Sequence, residues 1–231
     1  MSGLPLVAAA GAVAGCLVHG TLHRNSRVFG SVLHTIPGEG RRVALTFDDG
    51  PNPRATPLIL DTLASERVPA AFFVLGKAAE RWPELVRRAA AEGHQIGNHG
   101  HAHRKLHLRT PPEIRRDLER GTRAIERACG ERPRYFRAPH GYRNPWVTPI
   151  ARSLGQRTVG WTLGVWDSDR PGVDEIVRRV LAGVRPGAIV LLHDGDGYDP
   201  DGDRLQTALA LPAIIEGLRG RGYCFERLPG V

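Results

Sequence analysis

Residues 43–51 read VALTFDDGP, in which an apolar, β-branched run is followed by two adjacent carboxylates and a Gly-Pro turn. The run predicts a buried strand over Val43–Phe47, because β-branched and aromatic side chains suit a pleated sheet. Asp48 and Asp49 stand where this strand breaks, so both side chains can reach one cleft. Adjacent carboxylates are costly to bury together unless a cation or a shared proton offsets their repulsion. The alternative is a solvated Asp-Asp-Gly turn.

Outward from this strand, short apolar runs alternate with longer amphipathic stretches along the rest of the chain. Such alternation predicts a parallel sheet with helices between its strands. About seven strands suit a distorted or incomplete (β/α) barrel in a single α/β domain. The other predicted strands are Ala70–Val74, Gln95–Asn98, Tyr135–Arg137, Thr158–Leu163, Ile189–His193 and Tyr223–Arg227. The predicted helices are Thr56–Glu66, Ala78–Ala91, Pro112–Ala128, Pro145–Leu154, Val173–Val184 and Gln206–Arg221, with Pro83 expected in the first turn of a helix.

The composition of the 231 residues is that of a globular protein, with 41% hydrophobic and 24% charged residues. A formal net charge of +8 suits a nucleic acid, an anionic membrane surface or an acidic polymer as partner. The paired arginines fall in predicted helices, however, where a solvated face explains them, and no aromatic residues alternate with them. No nucleic-acid partner is therefore predicted. The three cysteines, Cys16, Cys129 and Cys224, are too widely spaced for a disulfide framework or a Cys-x-x-Cys metal site.

The first 40 residues are predicted to form an apolar segment and a linker or extended arm, and residues 41–231 to form the folded domain. Residues 4–18 are apolar, but at about 15 residues they are short for a helix that spans a membrane, which needs about 20. They resemble the core of a signal peptide or a weak anchor. Cys16 ends a Val-Ala-Gly-Cys stretch that resembles a lipoprotein cleavage box.

The charges around the apolar segment argue against secretion. No Lys or Arg precedes it, whereas a signal peptide has a basic start, and Arg24 and Arg27 follow it. By the positive-inside rule these arginines place that side in the cytoplasm. The prediction is a protein of the cell envelope, exported or associated with the membrane through residues 4–18, with a cytoplasmic location as the alternative. No pattern in the sequence predicts an oligomeric state.

Residues 97–103 read GNHGHAH and begin near the end of a predicted strand. His99 and His103 are four residues apart, which puts both on one side of a helical turn, although the flanking glycines favour a tight loop at least as well. Two histidines and one carboxylate form a metal site with open coordination positions, as catalysis requires. His99 and His103 are therefore candidate metal ligands, with one carboxylate to complete the set. His101 is left out because its direction along the turn is less favourable.

Three further polar motifs lie at the ends of predicted strands: FRAPHG at residues 136–141, WTLGVWD at residues 161–167 and LLHD at residues 191–194. In a (β/α) barrel the carboxyl ends of the strands form one face, and that face carries the chemistry. Five motifs at such ends are hard to explain as unrelated turns and core histidines. Together they predict one active site at this face of the barrel.

The ordered set TFDDG, His-x3-His, Arg-x-Pro-x-Gly, an Asp after a Trp-containing strand and Leu-x-His resembles the polysaccharide deacetylase family. The resemblance is to its NodB-homology domain, of the carbohydrate esterase family 4 type, and it covers residues 41–231. It implies a distorted (β/α) barrel. It also implies a metal-dependent hydrolase that removes acetyl groups, N-acetyl or also O-acetyl, from a carbohydrate polymer or oligomer.

The resemblance implies a role for each motif residue. Asp49, His99 and His103 match the ligands of one divalent metal ion, with zinc as the first choice and cobalt, nickel or manganese as alternatives. Asp48 matches the base that takes a proton from the attacking water, and His193 the acid that protonates the leaving amine. The other matches are Arg137, which holds the base, Asp167, which orients the acid, the backbone N–H of His140, which donates to the oxyanion, and Leu191, which lines the acetyl pocket.

Some positions depart from the family pattern. His140 replaces the usual tyrosine, and Gly100 replaces the usual Ser or Thr between the metal histidines. Gly164 and Ser168 replace an aspartate and a tryptophan that help to shape the pocket. The departures therefore bear on the substrate pocket and on groups behind the ligands. Trp161 is a candidate for stacking on sugar in that pocket, with core packing as the alternative.

Several alternatives stay open beside the deacetylase. A non-sugar C–N hydrolase on the same scaffold, acting on cyclic ureides or imides, is one of them, although the retained Asp48 argues for sugar deacetylation. A carbohydrate-binding module without catalysis is another, but it would not need Asp48 and His193 together. A ferrous oxygenase also uses two histidines and one carboxylate, yet it would not need the double aspartate. The glycan itself is open among peptidoglycan, chitin oligomers, exopolysaccharides and acetylated plant polymers.

Overall fold

Seven short parallel strands build a curved sheet, and the predicted incomplete barrel in a single α/β domain is confirmed. The computed structural model describes residues 3–230 and the side chains of residues 11–230. The strands run in the order β5-β4-β3-β2-β1-β7-β6, and β8 pairs with the start of β1. Their bounds are β1 Arg42–Asp48, β2 Ala70–Val74, β3 Gln95–Asn98, β4 Tyr135–Phe136, β5 Arg157–Thr158, β6 Leu163–Gly164, β7 Ala188–His193 and β8 Cys224–Phe225.

The first helix, α1, precedes the strands, and the other helices lie between strands in the sequence. α5 shows why they begin and end where they do: Thr110 and Glu113 form a capping box at its start, and Gly130 ends it with φ 79°. The helices are α1 Gly3–Leu22, α2 Ala55–Ser65, α3 Gly76–Arg81, α4 Pro83–Ala91, α5 Pro111–Cys129, α6 Val147–Ser153, α7 Val173–Gly183 and α8 Leu205–Gly220.

The single helix predicted over Ala78–Ala91 is wrong, because the chain forms two helices there, α3 and α4, separated at Trp82. Pro83 has no N–H to donate and disfavours helical geometry in the residue before it. Trp82 accordingly takes φ −133° and ψ 62°. The expectation that Pro83 lies in the first turn of a helix is confirmed.

The single strand predicted over Thr158–Leu163 is also wrong. Its two ends form β5 and β6, which lie at opposite ends of the strand order, and residues 159–162 connect them. The carbonyl groups of Gly160 and Trp161 accept hydrogen bonds from side chains of Arg137, Arg24 and Asn25. Because these carbonyls bond to side chains, the segment leaves the regular ladder.

The central strand β1 contributes buried residues to the core, and its carboxyl end positions residues of the site. Leu45 is fully buried and lies opposite Ala70 of β2 and Val190 of β7. Burying a side chain of this size contributes about 1.5–3 kcal/mol. The same register sets Asp48 beside His193 at the carboxyl ends of β1 and β7. Packing of the core therefore fixes the relative position of the predicted base and acid.

Residues 23–36, here called the N-terminal arm, follow α1 and lie against the sheet. Leu33 forms a parallel bridge with Val159, and Thr35 an antiparallel bridge with Ala188. Leu33 and Ile36 are buried. The arm thus spans the opening between β5 and β7, while the division between residues 40 and 41 stays a prediction.

The described side chains of the first helix are mostly exposed. Residues 11–19 of α1 are exposed, among them Val13, Leu17 and Val18. Within the described part of the chain, no helix combines the length and the apolar character needed to cross a membrane. Part of the apolar segment predicted at residues 4–18 lies outside the described side chains.

Candidate metal and catalytic site

The structure brings the three predicted metal ligands together. Asp49 follows β1, and His99 and His103 lie in the loop after β3. Oδ1 of Asp49 is 3.3 Å from Nε2 of His99 and 3.2 Å from Nε2 of His103. All three residues are buried, and one ligand atom from each lies within 4.8 Å of the others.

The donor set fits a divalent cation. The backbone carbonyl of Arg137 lies 2.8 Å from Nδ1 of His99, so Nδ1 donates its proton there and Nε2 turns a lone pair toward Asp49. Oδ1 of Asp49 is buried without a hydrogen-bond partner. Burial lowers the pKa of His103 to about 3, so this imidazole is neutral, as a metal ligand must be.

Three of the six non-glycine residues with positive φ in the described part of the chain lie at this cluster. Asp49 has φ 74°, His103 has φ 50° and His140 has φ 60°. Each such residue costs on the order of 1–3 kcal/mol and persists only where its surroundings hold it. The strained backbone thus marks the same strand ends that the sequence motifs mark.

The predicted base, Asp48, is held by a buried arginine. Nη1 of Arg137 donates to Oδ1 of Asp48 at 2.6 Å and to Oγ1 of Thr46 at 2.9 Å, and Nη2 donates to the carbonyl of Gly160 at 3.0 Å. Arg137 is fully buried, with its guanidinium carbon 4.0 Å from the centre of the Phe73 ring. A buried guanidinium needs such partners, because an unpaired buried charge is strongly destabilising. The arrangement pairs Asp48 with a positive charge and fixes its direction.

The predicted acid, His193, is paired with Asp167. Nδ1 of His193 is 2.9 Å from Oδ1 of Asp167, and the backbone N–H of His193 donates to Oδ2 of Asp167 at 2.8 Å. Burial would lower the pKa of His193, but the charge and hydrogen bond of Asp167 raise it to about 9. Since Nδ1–H of His193 donates its hydrogen bond to Asp167, Nε2 is left as the atom that can pass a proton to substrate.

The two predicted pocket residues lie together at β6. Leu191 of β7 is opposite Gly164, and a Cβ at Gly164 would lie 3.9 Å from Leu191 and 2.9 Å from Nε1 of Trp161. The Trp161 ring also contacts the guanidinium of Arg137 at 5.6 Å. Trp161 therefore packs against Arg137, the residue that holds the base. Its contact with a sugar stays a prediction.

One departure from the family pattern, at Gly100, has a local explanation, and His140 and Ser168 can be described by their contacts. Gly100 has φ 79°, and a Cβ there would lie 2.5 Å from Oδ2 of Asp117, so this buried carboxylate fills the space of the usual hydroxyl side chain. The His140 ring lies 4.5 Å from that of His103, and its Nε2 is 3.1 Å from the hydroxyl of Tyr198. The carbonyl of Ser168 accepts a hydrogen bond from Arg204.

The sequence reasoning missed several residues around the site. Asp117 accepts the backbone N–H of His101 at 2.9 Å, and Thr207 donates to Asp167 at 2.8 Å. Asp194 is buried and accepts from Thr56 at 2.6 Å. Burial, together with the nearby charges of Asp49 and Asp48, raises the pKa of Asp194 to about 7. Only Asp194 had a signal in the sequence, since it directly follows His193.

Comparison with known proteins agrees with this geometry. The model of the polysaccharide deacetylase family matches residues 35–159. A chitooligosaccharide deacetylase of Bradyrhizobium sp. (strain ANU 289) is 45% identical over 198 residues, covering 82% of this chain and 90% of the relative. A crystal structure of a peptidoglycan N-acetylglucosamine deacetylase superposes with a TM-score of 0.80 at 34% identity, covering 86% and 91%. A CE4-family pseudoenzyme from Bacillus anthracis superposes with a TM-score of 0.78 at 27% identity, covering 86% and 67%.

Proposed function

Because the chain belongs to the polysaccharide deacetylase family, we propose that it removes N-acetyl groups from a glycan that contains N-acetylglucosamine. The chain is a hydrolase of carbon–nitrogen bonds other than peptide bonds. The observation that carries the proposal is the convergence of Asp49, His99 and His103 next to Asp48 and His193. A site of this kind has a place for a cation, a base and an acid around one reacting carbonyl.

The residues of the site divide the chemistry between them. When held by Asp49, His99 and His103, a divalent cation supplies Lewis-acid polarisation of the acetyl carbonyl and acidifies water. Asp48, fixed by Arg137, takes a proton from the attacking water. His193, kept protonated by Asp167, gives its proton to the nitrogen that leaves. Proton transfers of this kind contribute about 10²–10⁴-fold each.

The nature of the substrate and of the metal rests on different arguments. The relatives named above act on chitooligosaccharide and on peptidoglycan N-acetylglucosamine, which supports an acetylated amino sugar as the unit recognised. Two imidazole nitrogens and one carboxylate oxygen are a ligand set that suits zinc, with cobalt, nickel and manganese as alternatives. The backbone N–H of His140 is proposed as the donor to the oxyanion, since His140 lies in the turn beside His103.

We also propose that the protein works at the cell envelope, associated with the membrane through residues 4–18. The support is the exposed apolar surface of α1 at Val13, Leu17 and Val18 and the arginines that follow it. Full-length protein should sediment with phospholipid vesicles, and protein without residues 1–20 should stay in the supernatant. Equal sedimentation of the two forms with the vesicles would contradict this proposal.

The proposed activity is tested by acetate release from chitin oligomers, peptidoglycan, an acetylated exopolysaccharide and acetylated xylan. Each is measured with metal, with chelator, and after zinc is restored. The expected result is release from the N-acetylglucosamine substrates that chelator removes and zinc restores, with Asp48→Asn as the inactive control. Glycan binding without acetate release would favour a carbohydrate-binding module without catalysis. This alternative is tested because one of the structural neighbours is a pseudoenzyme with the same fold. Ring opening of a cyclic imide, tested as an added substrate, without acetate release from any of the glycans would favour the non-sugar hydrolase.

A further inference from the structure

The N-terminal arm contacts the connection between β5 and β6 directly. Nε of Arg24 donates to the carbonyl of Trp161 at 3.2 Å, and Nδ2 of Asn25 donates to the same oxygen at 2.9 Å. The arm also lies flat against Gly160, where a Cβ would come within 2.2 Å of Oδ1 of Asn25. The N–H of Gly160 donates to the carbonyl of Leu33 at 2.7 Å. Three arm residues thus hold two consecutive residues of the connection.

The same two residues contact the arginine that holds the base. The carbonyl of Gly160 accepts a hydrogen bond from Nη2 of Arg137, the fully buried guanidinium whose Nη1 donates to Asp48. The Trp161 ring lies 5.6 Å from the guanidinium carbon of Arg137 and 5.2 Å from that of Arg24. A continuous set of contacts therefore runs from the arm through residues 160 and 161 to Asp48.

A second buried arginine fixes the arm itself. Arg143 is 1% exposed, and its Nη2 donates to the carbonyls of Arg24 and Ser26 at 3.2 and 2.8 Å. Arg143 follows the turn that carries His140, and a Cβ at Gly141 in that turn would lie 3.0 Å from Cβ of Arg24. Burial of a guanidinium is costly unless hydrogen bonds replace its lost hydration, and the carbonyls of the arm supply two such bonds to Arg143. The arm is thus packed in place beside the active-site turn.

We propose that Arg24 and Asn25 are positioning residues of the active site, acting through residues 160–161 and Arg137 on Asp48. The inference rests on the proposed function. The family match begins at residue 35, so both residues lie outside the stretch that defines the family in this chain. Misplacement of a reacting group by about 1 Å can cost on the order of 100-fold in rate. Val159 and Thr162, at the two ends of the connection, bond to Phe136 and Ile189 of the sheet, whereas the backbone of Gly160 and Trp161 bonds to the arm and to Arg137.

The test uses full-length, metal-loaded protein and acetate release from chitin tetramer. The double variant Arg24→Ala/Asn25→Ala should lose roughly 10–100-fold in kcat, with KM within about twofold and bound metal unchanged. Arg27→Ala is the matched control, because Arg27 belongs to the same arm and is exposed. Asn25→Asp, which keeps the size of the side chain but offers no N–H donor, should also lower kcat. If the double alanine variant does not fold, the kcat of Asn25→Asp tests the proposal instead.

A double-mutant cycle separates positioning from a general structural role. Arg137→Lys keeps a positive charge near Asp48 but removes the bond to the Gly160 carbonyl. In that background, Asn25→Asp should cost less than about twofold in kcat, because the path to Asp48 is already broken. Full additivity in the cycle, or wild-type kcat in both the double alanine variant and Asn25→Asp, would overturn the inference. Absence of acetate release by wild-type protein would instead count against the proposed function.

Discussion

The two sides of the active site are built in different ways. On the metal side, Asp49 and His99 follow β1 and β3, which both pair with β2, so a regular ladder brings the ligands together. On the acid side, Asp167 lies in no strand and reaches His193 only through side-chain and backbone hydrogen bonds. A ladder tolerates the loss of one side chain, whereas a site made of hydrogen bonds depends on each partner. The difference predicts distinct consequences for mutations on the two sides.

The largest effect is expected on the metal side. Alanine at Asp49, His99 or His103 removes one of three donors, so bound metal should fall well below one equivalent. Acetate release should drop by about 10³-fold or more, since the cation supplies several kcal/mol of transition-state stabilisation. The fold should survive, because the ladder does not use these side chains. Bound metal is measured by elemental analysis and activity by acetate release.

His101→Ala is the matched control for the ligand variants. His101 lies between the two ligands, but its Nε2 faces Oε2 of Glu80 at 3.1 Å rather than the metal cluster. This variant should keep one equivalent of metal. A triple alanine variant of Asp49, His99 and His103 that still binds one equivalent tightly would show that the metal site is elsewhere.

On the acid side, Asp167→Asn should act through pH. The reaction needs protonated His193, and Asp167 raises the pKa of His193 to about 9, so wild-type activity should be lost as pH rises through about 9. Without the carboxylate, burial still lowers the pKa of His193 and only the charges of Asp49 and Asp48 raise it, so this pKa should fall from about 9. The variant should therefore lose more than about tenfold in kcat/KM at pH 8. A pH profile of Asp167→Asn that overlays the wild-type profile would contradict this pairing.

A smaller effect is expected one step further from the acid. Thr207→Val removes the hydroxyl that donates to Oδ2 of Asp167, while the backbone N–H of His193 still occupies that oxygen. The free energy of unfolding should fall by about 1–2 kcal/mol and kcat by a few-fold. Denaturant titration and acetate release measure the two. Thr62→Val is the control, because the hydroxyl of Thr62 donates only to the carbonyl of Leu58 in its own helix.

The smallest effect is expected outside both sides. Deletion of residues 1–20 removes most of α1, whose residues 11–19 are exposed, and leaves Arg24 and Asn25 in place. The truncated protein should remain folded and active, with kcat within about twofold of the full chain. A truncated protein that is inactive or insoluble would mean that α1 packs on the barrel as part of the fold.

The sequence could indicate which residues converge on the metal side because its signals are local. Asp48 and Asp49 end an apolar strand, and His99 and His103 follow another, so each motif could be placed from its own neighbours. The incomplete barrel followed from the alternation of strands and helices. Which catalytic role each residue has came from the resemblance to the family, and those roles stay predictions until they are measured.

The rest could not be predicted because it depends on contacts between distant parts of the chain. Thr207 lies 40 positions from Asp167, to which it donates, and nothing beside it in sequence marks that contact. Residues 158–163 have the composition of a strand. The carbonyl groups of Trp161 and Gly160, however, accept hydrogen bonds from side chains of Arg24 in the arm and of Arg137, and not from a neighbouring strand. The sequence of the arm has no strand pattern. Its position depends on the bridges that it forms across the opening between β5 and β7.

The central claim is that Asp48 and His193 serve one turnover as base and acid on neighbouring strands. The most direct test is acetate release by Asp48→Asn and His193→Ala at matched metal content, on one N-acetyl substrate and one activated O-acetyl ester. Asp48→Asn should lose roughly 10²–10⁴-fold on both substrates, because both need a base. His193→Ala should lose about as much on the amide but far less on the ester, whose leaving group needs little help from an acid. Wild-type rates for Asp48→Asn, or equal losses on both substrates for His193→Ala, would contradict these assignments.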